Sequence, residues 1–134
     1  MAIQRPSPSF AASAIARSKM PHEHTTPQIL QQTTALNSVE YLLQIPADLL
    51  YFEGHFSDCP ILPGVVQIKW VVDMGAAFVN LGTFVGMNKV KFTSPILPQM
   101  VLRLSLRTQP DRGNLIFRFY NDKKEFSSGE LIFE

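Results

Sequence analysis

The chain has 134 residues, a length typical of one domain with little room for a second. It is 46% hydrophobic and only 17% charged, so it can build a sizeable core and is not disordered as a whole. One cysteine excludes a disulfide framework and a cysteine-based metal cluster, and a formal net charge of +1 excludes a globally basic nucleic-acid-binding protein. Polar residues interrupt the longest apolar runs, which excludes a membrane span.

The charge is unevenly distributed along the chain. Residues 1–19 carry three bases and no acid, residues 20–83 have a net charge of −5, and residues 84–134 have a net charge of +3. The basic C-terminal half has two interpretations: it can face an acidic partner, or it keeps exposed strands soluble.

Residues 1–28 contain four of the ten prolines and no sustained hydrophobic periodicity. We predict a flexible N-terminal tail there, followed by one folded domain over residues 29–134. The basic start of the tail is similar to a transit peptide, and it lacks the long apolar stretch of a secretory signal. We expect a cytoplasmic protein. An alternative is that Met20 is the natural first residue. His22 and His24 have a spacing that can hold a metal weakly, but in such a tail we expect them to be solvated.

Alternation of apolar and polar residues predicts strands in the folded part. Residues 38–45 alternate and end at Pro46, and residues 100–107 alternate more regularly. Further strands are predicted over residues 84–93, 115–120 and 126–133, with turns at residues 110–113 and 121–124. The C-terminal half is therefore predicted to form an antiparallel meander.

One segment, residues 63–78, is too long for a single strand and predicts a helix with prolines at its start. It is apolar on nearly every face except at Gln67, Lys69 and Asp73, so we expect it to be buried nearly all round, with Trp70 packed in the core. One such helix among five or six antiparallel strands predicts an α+β fold with a sheet wrapped around the helix.

His55 is the only histidine of the predicted domain, and it lies just before that helix. Gly54 allows a close approach of the backbone, and Phe52 and Phe56 give apolar surroundings, which lower a histidine's pKa and keep it neutral. The free N–H groups at the start of the helix, around Gly64, can bind a carbonyl oxygen on which charge develops. Two interpretations follow: a base that removes a proton next to a carbonyl, or a structural histidine.

Two stretches resemble the 3-hydroxyacyl-[acyl-carrier-protein] dehydratases of the FabA/FabZ type. The first has the active-site pattern Phe52-x-Gly54-His55-Phe56-x-x-x-Pro60-Ile61-x-Pro63-Gly64-Val65. The second is residues 88–98, at the family's usual separation from the first. Residues 62–67, followed by Trp70, are most similar to the short ApeI-like branch, which is associated with aryl polyene pigment synthesis in Gram-negative bacteria. The resemblance covers residues 27–134.

The resemblance implies a hotdog fold, in which an antiparallel sheet curls around a long central helix. It implies a 3-hydroxyacyl-thioester dehydratase of fatty-acid or aryl polyene type biosynthesis, acting on a substrate carried by acyl carrier protein or coenzyme A. It also implies a homodimer or higher oligomer with active sites at the subunit interface. Neither a metal nor another cofactor is implied.

By the same match, His55 takes the C2 proton and the Gly64 N–H polarises the thioester carbonyl. The other substrate contacts that the resemblance implies are Phe52, Gly54, Phe56, Pro63 and Val65.

Lys69 departs from the family pattern, because the family has Glu or Asp there to assist loss of the 3-hydroxyl as water. A cation cannot replace a carboxylate as an acceptor. Three interpretations follow. Lys69 is itself the acid, or Asp73 one turn later supplies the carboxylate, although Asp73 can also simply pair with Lys69. In the third interpretation, the site has lost the ability to dehydrate its substrate. The last alternative leaves an acyl-thioester-binding partner subunit, and a hotdog thioesterase is a further alternative. Gln99 and Met100 also depart, since Gly-Asp is common there.

Overall fold

The computed structural model describes residues 24–52, 60–109 and 111–134. The strands are β1 (Gln28–Ala35), β2 (Ser38–Gln44), β3 (Phe84–Phe92), β4 (Val101–Gln109), β5 (Asn114–Tyr120) and β6 (Glu125–Phe133). A 3-10 turn covers Leu50–Phe52, and the helix α1 covers Gly64–Phe78. Within the described ranges, no helix has the length and apolarity that crossing a bilayer requires.

All six strands form one antiparallel sheet in the order β1-β2-β4-β5-β6-β3, so β1 and β3 lie at its edges. Along β2 and β4, every second side chain is buried, as the sequence alternation predicts. The inner face of the four central strands is mostly apolar and nearly free of solvent, and its buried apolar residues are Val39, Tyr41, Leu43, Leu102, Leu104, Leu106, Leu115, Phe117, Phe119, Phe126, Leu131 and Phe133.

The helix α1 packs against this inner face through Val66, Trp70 and Val71, which belong to the same buried cluster as the strand residues. Gly75 marks a close approach, because a methyl group in its place would lie 2.6 Å from a side-chain carbon of Leu115. One helix on the inner face of an antiparallel sheet is the α+β, hotdog arrangement that the sequence predicts. Trp70 is a core residue, 2% exposed, as expected.

The prediction that α1 is buried nearly all round is wrong for the single chain. Val65 is 76% exposed, and Lys69, Asp73 and Ala76 are exposed on the same side of the helix. The physical reason is that one sheet covers only one face of a helix, so the apolar character of the other face serves something outside the described chain.

The sequence predicts no strand before residue 38, yet β1 occupies Gln28–Ala35. All eight of its side chains are exposed, so neither face of the strand is buried. Its sequence therefore lacks the alternation of apolar and polar residues that predicts a strand. Backbone pairing with β2 holds it in place, across a tight connection in which Asn37 has a positive φ of 65°.

Part of the predicted tail contacts the domain. The indole N–H of Trp70 donates a hydrogen bond to the carbonyl of Thr25 at 2.9 Å, and the N–H of Leu50 donates to the carbonyl of His24 at 2.7 Å. The folded part therefore includes His24, ahead of the predicted boundary at residue 29. Residues 1–23 lie outside the described residues, and the tail remains a prediction for them.

Two predicted connections adopt the backbone that their residues favour. Gly113 has a positive φ of 69° between β4 and β5, and the Asn121 side chain accepts hydrogen bonds from the N–H groups of Lys123 and Lys124 between β5 and β6. Gln99 also has a positive φ, of 67°, which gives a physical reason why glycine is common there in the family that the sequence resembles.

Replacing Gly113 with alanine tests this account of the β4–β5 connection. The added methyl group would lie 2.7 Å from the Phe133 carbonyl oxygen, in a backbone conformation that L-residues avoid. We expect Gly113→Ala to lower the free energy of unfolding by at least about 1 kcal/mol in urea denaturation. Gly86→Ala is the matched control, because no atom lies within 4 Å of its added methyl group. Equal stability of the two variants would contradict the account.

Candidate functional site

The first turn of α1 presents free N–H groups. Pro63 caps the helix without a side-chain hydrogen bond, and its carbonyl accepts from the N–H groups of Val66 at 3.1 Å and Gln67 at 3.2 Å. Among the described residues, the N–H groups of Gly64 and Val65 have no acceptor. The start of the helix can therefore bind an oxygen that carries negative charge.

The end of β3 lies directly against this turn. A methyl group on Gly64 would lie 2.8 Å from Cζ of Phe92, so only glycine fits beneath the ring as it stands. The N–H of Leu62 donates to the carbonyl of Ile96 at 2.9 Å, which ties the two segments together. A pocket of about 380 Å³ opens between them, lined by Ile61, Leu62, Pro63, Gly64, Gln67, Phe92, Thr93, Ser94 and Pro95.

Thr93 fixes the far wall of this pocket to the sheet. Its N–H donates to the carbonyl of Phe126 at 2.9 Å, and its hydroxyl donates to the carbonyl of Glu125 at 2.8 Å. The N–H of Ser94 donates to the same Phe126 carbonyl at 3.2 Å. Both walls are therefore held by the backbone of the domain.

The sequence analysis missed two polar side chains as site residues: Gln67, which lines the pocket, and Ser127, which lies behind it. Gln67 is 4% exposed and Ser127 is fully buried, and the Ser127 hydroxyl donates to the Gln67 side-chain oxygen at 2.7 Å. The amide nitrogen of Gln67 donates to the carbonyl of Leu62 at 3.2 Å. The available signal was the helical spacing, since Gln67 shares the buried face of Val66 and Trp70 and therefore needs polar partners.

Lys69 and Asp73 lie on the opposite, exposed side of α1. The ammonium nitrogen of Lys69 lies 2.7 Å from a carboxylate oxygen of Asp73, and the two side chains are 61% and 55% exposed. Of the alternatives for Asp73, this geometry is the i,i+4 ion pair. Neither side chain lines the pocket at Gly64, so within one chain they are not part of that pocket.

The other predicted site residues are distributed as follows. Pro63 and Gly64 line the pocket, Val65 is exposed beside it, and Phe52 is a buried core residue that does not line it. The predicted base and its neighbours, His55, Gly54 and Phe56, lie outside the described residues, and their roles remain predictions.

The family model described as ApeI-like, ApeI dehydratase, matches residues 31–130. The chain belongs to the ApeI-like dehydratase family. Its pocket at Gly64 is thus formed where the two stretches that resemble dehydratases meet in space, although they are separate in sequence.

Similar proteins agree with this assignment. The 3-hydroxyacyl-[acyl-carrier-protein] dehydratase FabZ of Clostridium perfringens is 34% identical over 94 residues, which are 62% of this chain and 68% of that protein. A structure of the dehydratase heterocomplex ApeI:P from Xenorhabdus doucetiae matches with a TM-score of 0.74 and 29% identity, over 80% of this chain and 96% of that one. An uncharacterized protein from Erwinia carotovora subsp. atroseptica matches with a TM-score of 0.66 and 33% identity, over 79% of this chain and 94% of that one. The hotdog fold and a relationship to hydro-lyases are thereby confirmed.

Proposed function

We propose that this protein removes water from 3-hydroxyacyl thioesters of fatty-acid or aryl polyene type, with His55 as the base. The observation that carries the proposal is the pocket at Gly64, where a helix start with free N–H groups forms one wall. Such a site suits a carbonyl oxygen that gains charge when the neighbouring carbon loses a proton. His55 precedes Gly64 by nine residues in the stretch that resembles the family's active site.

In the proposed reaction, the thioester carbonyl accepts a hydrogen bond from the Gly64 N–H. His55 takes the C2 proton, and the electrons of that C–H bond first move towards the carbonyl oxygen and then form the C2–C3 double bond as the C3–O bond breaks. The C3–O bond breaks, and the leaving hydroxide takes up the proton that His55 accepted from C2, so that water is released and His55 returns to its neutral form. The Gly64 N–H stabilises the enolate-like charge on the carbonyl oxygen between the two events.

Replacing His55 with alanine tests the proposal directly. We incubate the protein with a 3-hydroxyacyl carrier protein and detect the 2-enoyl product by mass spectrometry. We expect the His55→Ala rate to fall by a factor of about 10² to 10⁴, as for loss of a general base. His24→Ala is the matched control, because His24 pairs with Asp48 at the surface and should leave turnover unchanged. Equal turnover by the parent and His55→Ala would remove His55 from the mechanism.

A second chain completes the site in this proposal. The exposed helix residues Val65, Lys69 and Asp73 face away from their own sheet, and the edge strand β3 exposes Phe84, Val85, Met87 and Phe92. Apolar side chains at a free sheet edge favour an interface. We propose a homodimer or higher oligomer formed through this region. The similar structure from Xenorhabdus doucetiae is a heterocomplex, so a different dehydratase chain is the alternative partner.

Lys69 is the feature that favours the alternative function, an acyl-thioester-binding partner subunit with impaired catalysis. Its side chain is largely exposed in the single chain, so the burial that an acidic ammonium group requires would have to come from the second chain.

Restoring a carboxylate at position 69 separates these cases. We expect Lys69→Glu to raise the rate of 2-enoyl formation by at least about tenfold, because a positioned acid or base contributes about 10² or more. Lys69→Gln is the control, since it removes the cation without adding a carboxylate, and it should give no gain. Loss of activity in Lys69→Glu would contradict this expectation and identify Lys69 as the acid or a substrate contact.

The carrier of the substrate is proposed from charge. Four cations, Lys89, Lys91, Arg112 and Arg118, and one acid, Glu130, line a groove of about 700 Å³ on the sheet. Arg118 donates a hydrogen bond to the Glu125 carboxylate, and this contact keeps the pKa of Glu125 below its usual value. The charge of Arg118 is therefore balanced by Glu125. For the other three, the described chain contains no salt bridge. This surface suits an acidic acyl carrier protein.

Reversing one charge in this groove tests the choice of carrier. We expect Lys91→Glu to raise KM for the carrier-bound substrate by about five- to tenfold at low salt, and less at high salt where charges are screened. The uncharged pantetheine thioester of the same acyl group should keep its KM. Lys123→Glu, in the β5–β6 turn, is the control with the same charge change. An equal effect of Lys91→Glu on both substrates would contradict carrier docking at this groove.

A further inference from the structure

The buried side chains of Gln67 and Ser127 form a hydrogen-bonded pair inside the core. An amide and a hydroxyl in an apolar core are costly unless they are paired, and here each is paired with a defined partner. The Gln67 side chain is held at its oxygen by Ser127 on β6, and its nitrogen holds the Leu62 carbonyl. The pair therefore connects the sheet to the segment just before α1.

The Leu62 carbonyl controls the direction of the Gly64 N–H through a short, stiff path. That carbonyl lies in the peptide plane between Leu62 and Pro63, and the Gly64 N–H lies in the next plane. The proline ring fixes φ of Pro63, here −62°, so only ψ of Pro63 remains to rotate one plane against the other. Orienting the Leu62 carbonyl thus orients the Gly64 N–H to within one torsion angle.

The remaining torsion is also restrained. The Pro63 carbonyl, which shares a plane with the Gly64 N–H, accepts from the backbone N–H of Gln67 at 3.2 Å. Gln67 therefore acts on both planes, with its side chain on the first and its backbone on the second. From the other side, the carbonyl of Ile96 holds the N–H of Leu62 at 2.9 Å.

We infer that Gln67 is a positioning residue that aims the Gly64 N–H into the pocket, and that Ser127 acts through Gln67. The inference rests on the proposed function for its kinetic consequence, but the orientation of the Gly64 N–H is a property of the protein alone. Gln67 touches no reacting atom in this account.

The kinetic test uses Gln67→Leu, Ser127→Ala and the double variant. We expect kcat for 2-enoyl formation to fall by about 10- to 10²-fold in Gln67→Leu with KM nearly unchanged, because a small misplacement of a catalytic group costs rate rather than binding. Ser127→Ala should lower kcat in the same direction, and the double variant should match Gln67→Leu within about twofold because the two act as one unit. Ser105→Ala, the same change on the outer face of β4, is the control.

A second readout does not need the reaction. We expect the amide resonance of Gly64 in ¹H–¹⁵N spectra to shift in Ser127→Ala, although residue 127 is remote in sequence, and to stay in place in Ser105→Ala. If the parent forms no 2-enoyl product, the proposed function fails and this readout still tests the inference. An unmoved Gly64 resonance in Ser127→Ala, or variants that lose thermal stability but keep kcat, would overturn it.

Discussion

The contact on which the site depends is the one between the first turn of α1 and the end of β3. Phe92 lies so close to Gly64 that a methyl group at position 64 would displace the Phe92 ring from its position. The strand order of the sheet makes this contact possible, because β3 does not lie between β2 and β4 but pairs with β6 at the edge. Two stretches of chain about thirty residues apart thereby form opposite walls of one pocket.

The helix α1 has polar side chains both on its buried side and on its exposed side. Gln67 points into the core and is satisfied by Ser127 and the Leu62 carbonyl. Lys69 and Asp73 pair with each other on the exposed side. An exposed i,i+4 ion pair contributes only about 0.3–0.5 kcal/mol to the stability of a helix. The stability of the single chain therefore gives no reason for the apolar residues, such as Val65, that are exposed on the same face. The second chain proposed above would cover that face and give a physical reason for it.

Much of the fold could be predicted from the sequence, and the reasons are local. Strands such as β4 alternate because one face is buried, and the helix at residues 64–78 is too long and too apolar to be a strand. The strand β1 could not be predicted, since its pairing is through backbone and its side chains are all exposed. The sequence also indicated Gly64, but the roles of Phe92 and Ser127 depend on pairing between residues far apart in the chain, which no local pattern carries.

The central claim is that the Gly64 N–H polarises a thioester carbonyl in this pocket. The direct measurement is the infrared difference spectrum of a saturated acyl thioester, ¹³C-labelled at the carbonyl and lacking the 3-hydroxyl, bound to the protein. The account predicts a lower carbonyl stretching frequency in the bound than in the free thioester, and a smaller lowering in Ser127→Ala. The same frequency for bound and free thioester would contradict it.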